Sequence, residues 1–140
     1  MAKRILVIED NPINLELISY LLRAFNYSVL TATDGEIGIQ LAHQEMFDLI
    51  ICDVHLPKLN GYEVIKYLKG NTLLRKIPII AVTALAMVGD REKLLASGFD
   101  GYISKPIIPE KFVKQIEFFI FQDDKCKDMS ATSFWRKEII

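Results

Sequence analysis

Five short apolar runs, at 4–8, 28–32, 48–52, 78–82 and 101–103, alternate along this chain with longer stretches of helical periodicity. The first such stretch is the clearest: Leu17, Ile18, Leu21, Leu22 and Phe25 fall on one stripe, which predicts a helix with that face inward. Asn11 offers an N-cap, Pro12 suits the first helical position, and Asn26 can take the left-handed conformation at the end. A second helix is expected after Asp34-Gly35 and a third after Asn60-Gly61, with Val64, Ile65 and Leu68 inward. A fourth runs from about Val88 to Ser97 and stops at Gly98. The fifth begins at Pro109 and buries Phe112, Val113, Ile116, Phe119 and Ile120. The strand-like runs are continuous Val/Ile/Leu rather than alternating, as burial on both faces requires. Five βα repeats of this kind predict a parallel sheet with helices on both sides.

Composition changes only after Phe121, where Gln122-Asp123-Asp124-Lys125 opens a polar tail that ends in Phe134-Trp135-Arg136-Lys137-Glu138-Ile139-Ile140. Two readings of residues 122–140 stand: a frayed or weakly docked terminus, or an interaction segment anchored by Trp135. The remaining 1–121 read as one domain, and 140 residues suffice for a sizeable core. Nothing in a formal net charge of −1 suggests a nucleic-acid footprint, which would need a basic face. Met1-Ala2-Lys3-Arg4 leads into an apolar run too short for a signal peptide or a membrane span. Cys52 and Cys126 have no motif spacing and read as reduced thiols of a cytoplasmic protein, a disulfide being the open alternative.

The chemistry lies where the strands run out. Asp53 ends the run Leu49-Ile50-Ile51-Cys52, and Glu9 and Asp10 end Ile5-Leu6-Val7-Ile8 in the same way. Parallel strands bring these acids to one sheet edge, the rim at which open α/β sheets bind ligands. Three acids there repel one another unless a cation sits among them, and Mg²⁺ suits a few carboxylates completed by water. The plainer alternative is that Glu9-Asp10-Asn11 only caps the first helix. Thr83 adds a hydroxyl at the end of Ile79-Ile80-Ala81-Val82, and Lys105 an ammonium after Tyr102-Ile103-Ser104. A hydroxyl and an ammonium facing a metal-bound carboxylate form a cradle for a phosphoryl group.

This constellation resembles the receiver domain of bacterial two-component response regulators. The matching pieces are Glu9-Asp10-Asn11, Asp53-Val54-His55-Leu56-Pro57 through Gly61, Pro78 through Val82-Thr83-Ala84, Gly98-Phe99-Asp100-Gly101-Tyr102, and Ser104-Lys105-Pro106. They span about residues 3–121 in order. Ala84-Leu85-Ala86-Met87 through Gly89-Asp90 is further similar to single-domain cell-cycle regulators and the receivers of hybrid kinases. The resemblance implies a flavodoxin-like (βα)5 doubly wound sheet of strand order 2-1-3-4-5. It implies that Asp53 accepts a phosphoryl group from a phosphohistidine on a histidine kinase or histidine phosphotransfer protein. Mg²⁺ would be held by Asp10, Asp53 and the His55 backbone carbonyl, with Glu9 acting through water. Lys105 would pair with a phosphoryl oxygen, and its bond to Pro106 would be cis. Thr83 would swing to the phosphoryl group, and Tyr102 would turn inward as space opens. The alternative for Tyr102 is an ordinary half-buried strand aromatic.

Such a protein is no enzyme toward other substrates; it catalyses only its own phosphorylation and dephosphorylation. His55, an unsuitable side-chain ligand for a hard ion, is expected with Leu85 to tune access of hydrolytic water. His43 lies on the polar side of the second helix and is assigned no role. Rival readings each lack a part. A flavodoxin needs a Ser/Thr/Gly-rich phosphate loop where Glu9-Asp10-Asn11-Pro12 stands, and an Asp-nucleophile phosphohydrolase needs an acid at position 55. A binding module that no longer uses phosphate would not need the full set of groups. No output domain is expected after residue 121, so a downstream protein would be met through the face of the fourth helix, fifth strand and fifth helix. Phe118 and Phe121 lie off the core stripe of the last helix, and their patch would serve a homodimer, a partner or the Trp135 tail.

Overall fold

The structure, a computed structural model, describes residues 2–84 and 88–121. Five strands, β1 (Arg4–Ile8), β2 (Ser28–Ala32), β3 (Leu49–Asp53), β4 (Ile79–Thr83) and β5 (Gly101–Ser104), alternate with five helices. These are α1 (Pro12–Ala24), α2 (Gly35–Gln44), α3 (Gly61–Lys69), α4 (Val88–Ala96) and α5 (Pro109–Ile120). All strand pairings are parallel, and the sheet order is β2-β1-β3-β4-β5. This is the expected flavodoxin-like doubly wound fold. Every residue of β3 and β4 is buried, which is why their sequences show no alternation.

Helix starts follow the local chemistry. Asn11 Oδ1 accepts from the backbone N–H of Ile13 and of Asn14, ahead of Pro12. Asp34 Oδ1 accepts from Ile37 N–H at 2.9 Å and caps α2. Asn60 and Glu63 form a reciprocal capping box at α3, with bonds of 3.0 and 2.9 Å. Asn60→Ala removes one half of that box and is expected to cost about 1 kcal/mol. The urea midpoint should fall while the slope of the transition stays unchanged.

Several boundaries differ from the sequence reading, among them the end of α4, which falls at Ala96 rather than Ser97. β3 and β4 are shifted by one residue and β5 ends one residue later, at Ser104, so Asp53 and Thr83 are the last residues of β3 and β4 rather than the first of their loops. Phe25 leaves the inward stripe of α1 and is 54% exposed. The helix ends at Ala24, and Phe25 sits at φ −104°, ψ 24°, which turns its side chain off the helical period. Asn26 takes the left-handed cap as expected, at φ +70°. The α5 stripe Phe112, Val113, Ile116, Phe119 and Ile120 is buried as predicted, with Phe118 half-buried and Phe121 exposed. Among the described residues, no helix is long and apolar enough to cross a membrane. The stretch 122–140, with Cys126 and Trp135, lies outside the described residues.

Candidate functional site

Strand register assembles the rim. Ile8 lies opposite Cys52, so the residues that follow, Glu9 and Asp53, sit side by side. Asp53 lies opposite Val82 and Thr83 opposite Ser104, bringing the fourth strand's hydroxyl and the start of the Lys105 turn to the same edge. Lys105 N–H donates to the Thr83 carbonyl at 2.8 Å, which fixes the turn, and Lys105-Pro106 is cis as expected. Carboxylate oxygens of Glu9, Asp10 and Asp53 lie within 4.8 Å of one another. Glu9 is 1% and Asp53 3% exposed, whereas Asp10 faces solvent.

Lys105 Nζ stands between the two buried acids, 3.2 Å from Asp53 Oδ2 and 3.3 Å from Glu9 Oε1. The other oxygen of Asp53 accepts from His55 N–H at 3.2 Å, and Glu9 Oε2 accepts from Asn11 N–H at 3.1 Å. Glu9 Oε1 is close enough to Lys105 for attraction but lacks hydrogen-bond alignment, so it is a buried oxygen without a hydrogen-bond partner among the described residues. Burial pushes the Glu9 carboxyl up to about 7, helped by a hydrogen bond with Asp53 and by its charge, against the pull of Asn11 N–H and Lys105. Burial acts to lower the Lys105 ammonium, but the charges of Asp53 and Glu9 outweigh it and hold the group above its ordinary value. One half-buried cation thus answers two buried carboxyls, and the site as it stands is short of positive charge.

Of the remaining predicted residues, Thr83 and His55 reach this edge, while Tyr102 lies opposite Ala81 within the sheet. Thr83 is fully buried at the end of β4, and the side chain of His55 is exposed at the mouth. Tyr102 is 8% exposed rather than half-buried, and it hydrogen-bonds the Arg91 side chain of α4. Leu85 lies outside the described residues. Some contributors escaped the sequence reading. Lys58 adopts φ +66° and pairs with Asp34 at 3.5 Å, tying the loop after β3 to the start of α2. A Cβ on Gly61 would meet Val54 Cα at 2.7 Å and the Asp53 carbonyl oxygen at 2.8 Å. That glycine therefore lets α3 start directly against the backbone that carries Asp53. A lone lysine in a loop carries no signal of a positive φ, and a glycine before a helix does not say what it touches.

The response regulator receiver domain family matches residues 5–117. The chain belongs to that family. It is 40% identical over 120 residues to the polar-differentiation response regulator DivK of Brucella anthropi, covering 86% of this chain and 98% of that one. Among solved structures, it resembles the receiver domain of a Pseudomonas aeruginosa sensor histidine kinase, with TM-score 0.79 and 34% identity over 86% of this chain and 98% of that one. That crystal structure has a magnesium ion coordinated in its active-site cleft. A chemotaxis response regulator, CheY4 of Vibrio cholerae, matches with TM-score 0.81 and 27% identity over 85% of this chain and 99% of that one. The receiver fold is thus shared along nearly the whole described chain, and the acid edge of the sheet is where its chemistry is sought. A flavodoxin or phosphohydrolase identity gives way to this family.

Proposed function

We propose that this receiver accepts a phosphoryl group onto Asp53 from a phosphohistidine on a histidine kinase or phosphotransfer protein, and that the modification switches its protein contacts. The observation that carries the reading is the bridging of buried Asp53 and Glu9 by Lys105 beside exposed Asp10. An Asp53 oxygen attacks phosphorus, the bond from phosphorus to the donor nitrogen breaks, and the histidine leaves with its ring electrons restored. Lys105 then pairs with a phosphoryl oxygen, and the Thr83 hydroxyl donates to another, exchanging their resting partners for a more highly charged group. Tyr102, buried beside Thr83's strand, belongs to the same response.

Mg²⁺ fits the residues present. An orphaned Glu9 oxygen and three converging carboxylates faced by Lys105 leave negative charge in excess, and a hard divalent ion prefers such oxygen donors. Asp10, Asp53 and the His55 carbonyl would hold it, with Glu9 through water. Bound there, it offsets negative charge as the phosphoryl group approaches. The chemistry is confined to the chain's own phosphorylation and dephosphorylation, and His55 with Leu85 governs entry of the water that ends the modified state. The free, buried thiol of Cys52 suits a cytoplasmic setting. A downstream protein is expected at the face of α4, β5 and α5, where a second copy of the chain is the other candidate.

Acetyl phosphate, a small phosphoryl donor, tests the reading without the natural partner. With Mg²⁺, intact-mass measurement should show one added phosphoryl group. Removing metal with EDTA should slow that gain by about a hundredfold or more, as expected for several kcal/mol of charge stabilisation. No mass gain with metal present would sink the proposal.

A further inference from the structure

We propose that Tyr62 is a positioning residue that links the Asp53 loop to α4, so that a change at Asp53 reaches the output face through α3 as well as through Thr83. The inference rests on phosphorylation of Asp53 and adds a transmission element to it.

The first link is a backbone contact without clearance. Gly61 N–H donates to the Val54 carbonyl at 2.8 Å, and a Cβ there would lie 2.8 Å from the Asp53 carbonyl oxygen. Both sides of the contact are main chain, so no side-chain rotation can absorb a shift of Asp53-Val54. The first turn of α3 must move with it.

Tyr62 follows directly and carries the second link. Its ring meets the ring of Phe99 edge to face, with centroids 6.3 Å apart and planes at 76°. Lys93 of α4 places its Nζ 4.8 Å from the centre of the same ring, within cation–π range. Phe99 is 3% exposed and lies between α4 and β5, so one ring touches α4 and the segment that leads out of it. Burial, helped by the charge of α4 residue Asp90, holds the Tyr62 hydroxyl above its ordinary pKa.

The hydroxyl itself is the third observation. Tyr62 Oη is buried with no hydrogen-bond partner among the described residues. A buried hydroxyl without a partner is unfavourable, and widening of the gap between α3 and α4 would relieve it by admitting water. The resting seat of α4 against Tyr62 is therefore held by the ring and opposed by the hydroxyl, a balance that a small shift can tip.

The test uses the full chain with Mg²⁺ and beryllofluoride, an acyl-phosphate mimic, and reads amide hydrogen exchange in α4. Wild type should show a change in α4 exchange on adding the mimic. In Tyr62→Ala that change should shrink by about fivefold or more, the scale of a typical coupling. Phosphorylation by acetyl phosphate should proceed to the same extent in both. Tyr62→Phe keeps the ring but removes the hydroxyl that opposes the resting seat, so its response should be smaller than wild type and larger than that of Tyr62→Ala. Lys93→Gln, which alters an exposed side chain and leaves the core intact, should weaken it. A wild-type response in Tyr62→Ala, or in Lys93→Gln should the alanine variant fail to fold, overturns the link while leaving phosphorylation intact. Failure of wild type to take up either beryllofluoride or phosphoryl overturns the phosphorylation reading, and the link with it.

Discussion

Asp53→Asn is expected to abolish covalent phosphorylation by acetyl phosphate while leaving the fold in place. Asp53, 3% exposed, accepts hydrogen bonds on both carboxylate oxygens, from Lys105 Nζ at 3.2 Å and from His55 N–H at 3.2 Å. These donors hold both oxygens in a fixed orientation, which is what in-line attack on phosphorus requires. The amide has the same shape but no anionic oxygen to form the acyl–phosphate bond. Its NH₂ also turns a donor toward either Lys105 or His55 N–H, where an acceptor stood. Glu9 keeps Lys105 as a partner, so the ammonium is not stranded by the change. Intact mass decides: an added phosphoryl group on the Asn variant, equal to that on wild type, would move the acceptor elsewhere.

The second large effect is a pH dependence centred on Glu9. Its carboxyl is pushed from an ordinary 4.5 up to about 7, so the folded state binds this proton more tightly than the unfolded chain. The resulting stabilisation is complete below pH 4.5 and is lost as pH rises through about 7. At about 1.4 kcal/mol per unit, the swing is about 3 kcal/mol. Metal-free protein should therefore lose stability toward urea between pH 5 and pH 8. Glu9→Gln, which imitates the protonated acid, should remove that part of the slope. The raised Lys105 does not interfere, because its contribution is lost only above its ordinary 10.5. A divalent ion competes with the proton, so Mg²⁺ affinity should climb with pH up to about 7 and level off, by at most about tenfold per unit. Equal slopes for wild type and Glu9→Gln in metal-free urea titrations would show that Glu9 is ionised in the fold.

Much of the fold is legible in the local sequence. Asn11 caps α1 as expected, and α2 and α3 start where expected, after Asp34 and Asn60, whose side chains prove to be caps. Val64, Ile65 and Leu68 are inward because the 3.6-residue period leaves them no choice. Phe25 misled, since periodicity does not say where a helix stops. Tyr102 left two outcomes open for the opposite reason: a strand aromatic's depth depends on what α4 places beside it, here Arg91. Lys58 and Tyr62 gave no signal, one acting through a backbone dihedral and the other through neighbours far along the chain.

The order of elements and the placing of acids, hydroxyl and lysine at strand ends were local matters, set by side-chain period, caps and burial, and the sequence by itself determined them. Only tertiary structure decided that Ile8 faces Cys52, that Lys105 stands between Glu9 and Asp53, and that Glu9 is buried deeply enough to hold a proton near neutrality. Register and desolvation depend on residues distant in the chain and on the water they exclude together, and neither is a property of any short stretch of sequence.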